Sequence, residues 1–199
     1  LSYVEPYSSS ACEMVAEVLQ YIVEDIKIPS VEADCLYAGI MIDTQNFMNK
    51  TGVRTFEAAA FLRRCGADIT RVRKMFRDDM ESYRAKAETV KNMEVYRREY
   101  AIAQSPSDIE SPTVLAAQAA NELLDINCIK ASFVLTVFKG KIYLSARSID
   151  EVNVQVIAEK LGGGGHINSA GAQFDHTDMD EAIRALKATI DQMIEEGDI

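Results

Sequence analysis

The chain has 199 residues, 48% hydrophobic and 26% charged, which is enough for one ordinary domain or two small ones. Its net charge of −10 disfavours a sequence-independent coat for DNA or RNA, which needs a basic face, but allows a small nucleotide or a divalent metal ion as ligand. No apolar run is long enough to span a membrane, and the four cysteines form no CxxC pair that would predict a zinc cluster.

The first half of the chain predicts helices and one buried strand. Ser10 and Glu13 have the spacing of a capping box, which predicts a helix over residues 11–24. The apolar run at residues 36–42 has the length of a strand buried on both faces, as in a parallel sheet, and Asp43 follows it. Apolar spacing and end signals predict further helices at residues 55–65, 69–76 and 78–92.

The second half mixes strands with helices. Lys139 and Gly140 separate two β-rich segments and predict a hairpin. The predicted class is α/β, with the end of a parallel-sheet domain at residues 1–80, a helical linker at 81–93 and a smaller α/β domain at 94–199. Strands are predicted at residues 95–103, 131–137, 141–146 and 170–174, and helices at residues 113–124, 152–160 and 178–196.

The most informative stretch is the run of four glycines, Gly162–Gly165, that precedes His166. Each glycine in a regular element costs roughly 0.5–1 kcal/mol relative to alanine, so packing alone hardly explains four together. Bare backbone permits close approach of a ligand, with N–H groups turned towards an anion. Arg147 and Ser148 end a predicted strand one short helix upstream, and a guanidinium and a hydroxyl suit phosphate oxygens. The sequence therefore predicts a phosphate site.

Three further residues have alternative roles that the sequence leaves open. Asp43 at the end of the predicted strand is placed either to bind a hard metal ion or to cap a turn. His166 either fixes the loop or serves a ligand by hydrogen bonding, metal ligation or proton transfer. Asn168, like its neighbour Ser169, is able to hydrogen-bond a base edge or a sugar, and both residue types are also common in loops.

Taken together, these stretches resemble the DHH phosphoesterases. Residues 39–47 (GIMIDTQNF), 51–60 and 63–68 are similar to the end of the DHH catalytic domain. Residues 145–148, 153–155 and 161–171 are similar to the DHH-associated domain that follows it. The opening stretch, EPYSSSACEMV, resembles the GdpP branch, the membrane-anchored cyclic di-AMP phosphodiesterases of bacteria. The resemblance covers essentially the whole chain.

The resemblance implies a two-manganese hydrolase that opens cyclic di-AMP, a bacterial signalling nucleotide, to the linear dinucleotide with a metal-activated water. Asp43 matches the family's last metal-binding aspartate. The substrate-binding residues that the resemblance implies are Arg147, Ser148, Gly163, Gly164, Gly165 and His166, and Asn168 joins the candidates because its amide is able to hydrogen-bond a base edge or a sugar.

The family's earlier metal motifs, including Asp-His-His, do not occur here, because the only histidines are His166 and His176. One aspartate is too few for two ions, so we expect the other ligands just before Leu1 and expect this chain alone to be inactive, with no catalytic residue assigned. The resemblance implies a parent enzyme at the cytoplasmic face of the bacterial membrane, anchored by segments outside this chain, which itself makes no membrane contact. A sheet without its early strands predicts an exposed edge that favours homodimers or aggregation.

Two other functions share these patterns. A DHH exonuclease for very short oligonucleotides has both domain patterns, and turnover of a linear rather than a cyclic dinucleotide would identify it. A non-catalytic nucleotide-binding module is the second alternative, since DHH-associated domains also occur attached to alanyl-tRNA synthetase. The segment around Asp43 argues against a pure binding module.

Overall fold

The computed structural model describes residues 4–22 and 26–198. The chain divides into two compact units, Leu1–Arg77 and Asp78–Ile199. No helix in the described ranges combines the length and the apolar character that a membrane span requires.

The described part of the first unit is helical: α1 (Ala11–Ile22), α2 (Ser30–Asp43), α3 (Val53–Arg64) and α4 (Ile69–Met75). Ser10 caps α1 as predicted, with the Glu13 backbone N–H donating to Ser10 Oγ at 3.0 Å, whereas the Glu13 carboxylate accepts from the Ser9 backbone N–H at 3.3 Å rather than from that of Ser10. Asp68 begins α4 by accepting hydrogen bonds from the backbone N–H groups of Thr70 and Arg71. The helices enclose one apolar core, in which Ile40 and Leu62 are fully buried.

The strand predicted over residues 36–42 is wrong, because these residues form the second half of α2. A short apolar run does not by itself distinguish a buried strand from a buried helix, and here the helix starts six residues earlier, after Pro29. Tyr37 and Ile40 are buried at helical spacing, whereas Ile42 is 62% exposed. Gly39 lies directly against Cys12 of α1, where a methyl group would collide with the Cys12 sulfur. Close helix packing therefore explains the small residues of the run.

The second unit is a six-stranded sheet with four helices. Its elements are α5 (Met80–Lys91), β1 (Glu94–Tyr96), β2 (Tyr100–Gln104), α6 (Pro112–Leu123), β3 (Ala131–Phe138), β4 (Lys141–Ser148), α7 (Val154–Lys160), β5 (Gly164–His166), β6 (Ser169–Phe174) and α8 (Met179–Glu196). The strand order is β1-β2-β3-β4-β6-β5, and of these pairs only β2–β3 is parallel. The α/β class is confirmed. Residues 81–93, assigned to a linker, are mostly α5, which packs against α6 within this unit.

The predicted hairpin joins β3 to β4. Lys139 and Gly140 have φ of +50° and +76°, as a two-residue turn with two left-handed positions requires. Helices α7 and α8 cover one face of the sheet with a continuous apolar core that includes Phe133 and Leu186. On the other face α5 and α6 cover β2 and β3 and extend no further than β4. The part of that second face formed by β6 and β5 is therefore left without a covering helix from this unit.

Candidate functional site

Cross-strand register brings three of the predicted residues of the second unit, Arg147, Gly164 and His166, onto one face of the sheet, the face that α6 covers only as far as β4. Arg147 of β4 and His166 of β5 are both paired with Ser169 of β6, so the three side chains form one row on one face. Because strands lie about 4.8 Å apart, the Cα atoms of Arg147 and His166 are about 10 Å apart. Alternate residues Ala146 and Ala170 point into the core on the other side.

Two further rows continue this surface. Ser145, Gly171 and Gly164 form the second row, and Tyr143 and Gln173 form the third. Most of these residues are polar or small and are half-buried or exposed, as on the solvated face of an antiparallel sheet. We call this surface the open polar face; it consists of Tyr143, Ser145, Arg147, Gly164, His166, Ser169, Gly171 and Gln173.

Arg147 is the only cation among the residues of the open polar face apart from the titratable His166. Its Nη1 donates to the carbonyl oxygen of Ala146 at 2.8 Å and lies 3.5 Å from that of Ala170. Its Nε and Nη2 groups donate to no described atom, and no described carboxylate forms an ion pair with it. Burial lowers the pKa of the Arg147 guanidinium. A half-buried cation without a described counterion is chemically suited to pairing with an anion.

The four positions of the glycine run differ in their structural reasons for glycine. Gly162, at φ +80°, ends α7: its N–H donates to Glu159 O at 3.0 Å and the N–H of Gly163 donates to Ala158 O at 2.8 Å, as in a Schellman motif. These two N–H groups are thus unavailable to an anion. The sequence predicted that the whole run serves a ligand, whereas half of it closes a helix.

Gly163 and Gly165 are explained by packing against β6. A methyl group on Gly163 would collide with the carbonyl oxygen of Gly171, and one on Gly165 would lie 2.5 Å from Ala170 Cα. Gly164 differs, because nothing lies within 4 Å of the position of its methyl group and its φ is not left-handed. Of the four, Gly164 alone has no reason within the described chain to be glycine.

Ser148 and Asn168 bond to their neighbours in the turn that faces β4. The Ser148 hydroxyl lies 3.3 Å from Ile167 O and 3.4 Å from Asn168 Oδ1, and its residue is 4% exposed. Asn168 Nδ2 donates to Asp150 Oδ1 at 2.6 Å. Ser148 also points to the face opposite Arg147, because successive residues of a strand alternate. These contacts hold the end of β4 against the turn between β5 and β6.

His166 is exposed on the edge strand β5, and its imidazole bonds to no described residue. Sequence reasoning did not identify Tyr143, Ser145, Gly171 and Gln173 as members of the open polar face, whereas Ser169 is among the residues that it names, beside Asn168. Successive side chains of the strand KIYLSARS point to opposite faces of the sheet. Counting back from Arg147 in steps of two therefore places Ser145 and Tyr143 on the same face as Arg147. The partners on β6 need the pairing register, which the sequence does not state.

Asp43 lies in the first unit, as the last residue of α2. Its side chain is exposed and forms no ion pair or hydrogen bond with a described side chain. A carboxylate at a helix C-terminus is disfavoured by the partial negative charge there, so a cation would stabilise it. Beyond Thr44, the next three residues, Gln45, Asn46 and Phe47, have φ of +47°, +59° and +64°. Left-handed backbone at consecutive non-glycine residues is strained and is enriched at functional sites.

Thr44 holds this strained turn in place. It is fully buried, donates from Oγ1 to Ile40 O at 2.7 Å and accepts from the Phe47 backbone N–H at 3.0 Å. Among the described residues no group of three or more His, Cys, Asp or Glu side chains is arranged to hold a metal ion. The described chain therefore offers one carboxylate at Asp43 and no complete metal site around it.

Comparison with known proteins matches the second half to a family model and nearly the whole chain to curated relatives. Residues 100–196 match the family model described as the DHHA1 domain. The chain is 41% identical over 192 residues to the cyclic-di-AMP phosphodiesterase PdeA of Listeria monocytogenes, covering 96% of this chain and 29% of that protein. It is 42% identical over 200 residues to the cyclic-di-AMP phosphodiesterase GdpP of Bacillus subtilis, covering 99% of this chain and 30% of that protein. The chain thus spans less than a third of the length of these relatives.

A solved structure shares the fold of nearly the whole chain. An exopolyphosphatase-related protein from Bacteroides fragilis superposes with a TM-score of 0.85 at 24% identity, over 97% of this chain and 59% of that chain. At this identity the likeness concerns the fold alone.

Proposed function

The chain belongs through residues 100–196 to the DHHA1 domain family, and from this premise we propose that it is part of a manganese-dependent phosphodiesterase that hydrolyses cyclic di-AMP to the linear dinucleotide. In this proposal the second unit binds the substrate and the first supplies Asp43 as one metal ligand. Similarity over nearly the whole chain to two proteins named for this activity supports the proposal.

The observation that carries the proposal is the unpaired Arg147 guanidinium on the open polar face. Its free Nε and Nη2 groups present parallel donors, which match two oxygens of a phosphate. His166 in the same row donates a second hydrogen bond to the phosphodiester, and Gly164 between the rows lets the ligand approach the backbone. Ser148 and Asn168 position this row by holding β4 to the β5–β6 turn.

The described residues do not hold two manganese ions by themselves, since only Asp43 is offered. The metal chemistry therefore belongs to the parent enzyme, where Asp43 adds one carboxylate oxygen to a site completed by other residues. Within this chain the residues bind and orient the phosphodiester and do not cleave it. A location of the parent at the cytoplasmic face of the membrane, held by an anchor outside this chain, is part of the same proposal.

Calorimetric titration of the chain with cyclic di-AMP tests the binding role. Arg147→Gln should raise the Kd at least about tenfold, because a hydrogen bond to a charged group contributes roughly 1.5–3 kcal/mol. Arg184→Gln is the matched control, since Arg184 is an exposed arginine of α8 that donates within its own helix to Asp180 O at 3.3 Å. Equal affinities for the chain and Arg147→Gln, or no binding by the chain, would refute the proposed role.

A hydrolysis assay tests whether this chain binds the nucleotide without cleaving it. The chain supplied with manganese and cyclic di-AMP should give no linear product, because its metal site is incomplete. Sustained turnover by the chain alone would show that the site is complete without further residues. Running the linear dinucleotide beside the cyclic one on the parent enzyme separates a cyclic dinucleotide phosphodiesterase from an exonuclease for very short oligonucleotides.

A further inference from the structure

The open polar face carries a third row of side chains that phosphate binding does not use. Tyr143 and Gln173 are paired across β4 and β6, two residues beyond Ser145 and Gly171. The half-buried Tyr143 ring packs edge to face on Phe138, with centroids 6.0 Å apart, and its hydroxyl bonds to no described atom. The third row therefore presents two polar groups at the end of the face away from Arg147.

The spacing of the rows suits a nucleotide. Successive residues on one face of a strand are about 7 Å apart, so the Arg147 row and the Tyr143 row are separated by about 13 Å. The row between them consists of Ser145, Gly171 and Gly164, whose side chains are a hydroxymethyl group or a hydrogen atom. Such a row is a flat floor. A nucleotide whose phosphate lies at Arg147 places its base over this floor, with the base edge towards Gln173.

Asp175 fixes the orientation of the Gln173 amide. Gln173 Nε2 donates to Asp175 Oδ1 at 3.0 Å, and Lys141 Nζ lies 3.0 Å from the same oxygen. The hydrogen bond from Lys141 lowers the pKa of the Asp175 carboxyl, which is therefore ionised at neutral pH and only accepts. The amide nitrogen must face Asp175. This leaves Oε1 and the second N–H of Nε2 at defined positions for a ligand.

We propose that Gln173, oriented by Asp175, reads the base of the bound nucleotide and selects adenine, with Tyr143 contacting the same base. The inference rests on the proposed function and adds the group that determines its substrate. Adenine carries an amino donor beside a ring-nitrogen acceptor, which a glutamine amide matches with a pair of hydrogen bonds. Guanine carries a carbonyl acceptor where adenine carries the amino group, and an amide of fixed orientation matches only one of them.

Gln173→Glu tests the inference by replacing the amide donor with an acceptor. The substitution should weaken binding of cyclic di-AMP roughly tenfold and shift the preference towards cyclic di-GMP, whose guanine edge offers adjacent N–H donors. The readout is the calorimetric Kd of both nucleotides for the full chain and for each variant, with the unfolding temperature of each. Gln192→Glu is the matched control: Gln192 also donates to a carboxylate, Glu196 Oε1 at 2.6 Å, but lies on α8, which packs on the opposite face of the sheet.

Each possible result either supports or overturns base reading by Gln173. An unchanged Kd and preference in Gln173→Glu, or equal binding of both nucleotides by the unmodified chain, overturns base reading and leaves the phosphate site intact. Failure of the unmodified chain to bind either nucleotide overturns the proposed function and base reading with it. Should Gln173→Glu unfold the chain, Gln173→Ala removes the same pair of hydrogen bonds without adding charge, and it should abolish the preference for adenine.

Discussion

The two turns that carry the predicted binding residues reach left-handed backbone in opposite ways. After α7 the left-handed residues are Gly162 and Gly165, for which such φ values cost little. After α2 they are Gln45, Asn46 and Phe47, for which they are strained. The glycine turn is unstrained, and three of its four glycines are explained by helix termination or by packing against β6. The turn after Asp43 is held against its strain, which is expected where a side chain must be kept in one position.

The largest expected effect comes from the glycine turn. Gly165→Ala should lower the free energy of unfolding of the second unit by about 3 kcal/mol, because its methyl group meets the β6 backbone and its φ of +150° disfavours a side chain. Urea unfolding followed by circular dichroism measures the change. A variant as stable as the unmodified chain would mean that β5 shifts freely against β6, and that packing does not explain this glycine.

Thr44→Val should have the next largest effect. Valine keeps the shape of threonine but removes the bonds to Ile40 O and from the Phe47 N–H, so we expect a loss of about 1–3 kcal/mol in the first unit. The measurement is the same unfolding curve, with Thr51→Val as control because the Thr51 hydroxyl makes one bond, to Phe47 O. Equal effects of the two substitutions would show that Thr44 is not the residue that holds the turn.

Gly164→Ala sharpens the contrast within the glycine turn itself. It should leave stability unchanged or raise it by about 0.4–1 kcal/mol, since the methyl group enters open space and reduces the freedom of the unfolded chain. Binding of cyclic di-AMP should nevertheless weaken, because the methyl group occupies the floor of the open polar face. A variant that binds as tightly as the unmodified chain would show that no ligand approaches Gly164.

The smallest expected effect is at the strained turn. Asn46→Gly should raise the stability of the first unit by about 0.5 kcal/mol, since glycine adopts φ near +59° without a steric cost. The gain is small because asparagine tolerates left-handed backbone better than most other non-glycine residues. The gain would appear as a small increase in the urea midpoint of the first unit. A loss of stability would instead show that the Asn46 side chain contributes contacts to the turn.

Local signals predicted most elements of both units. The capping residue Ser10 and the left-handed pair Lys139-Gly140 act within a few residues of themselves, and each marks an element boundary that the structure shows. The apolar run at residues 36–42 was misread because its composition reflects contact of Gly39 with Cys12 on another helix. Burial against a distant element looks the same in a sequence whether the element is a strand or a helix.

The sequence by itself determined the α/β class, the hairpin and the presence of Arg147, His166 and the glycines in one segment. Only the tertiary structure decided what each does, since the pairing of β4, β6 and β5 sets which side chains share a face. That register assigns Gly163 and Gly165 to packing and Arg147, Gly164 and Gln173 to the open polar face. The physical reason is that a shift of one residue in a strand moves every side chain to the other side of the sheet.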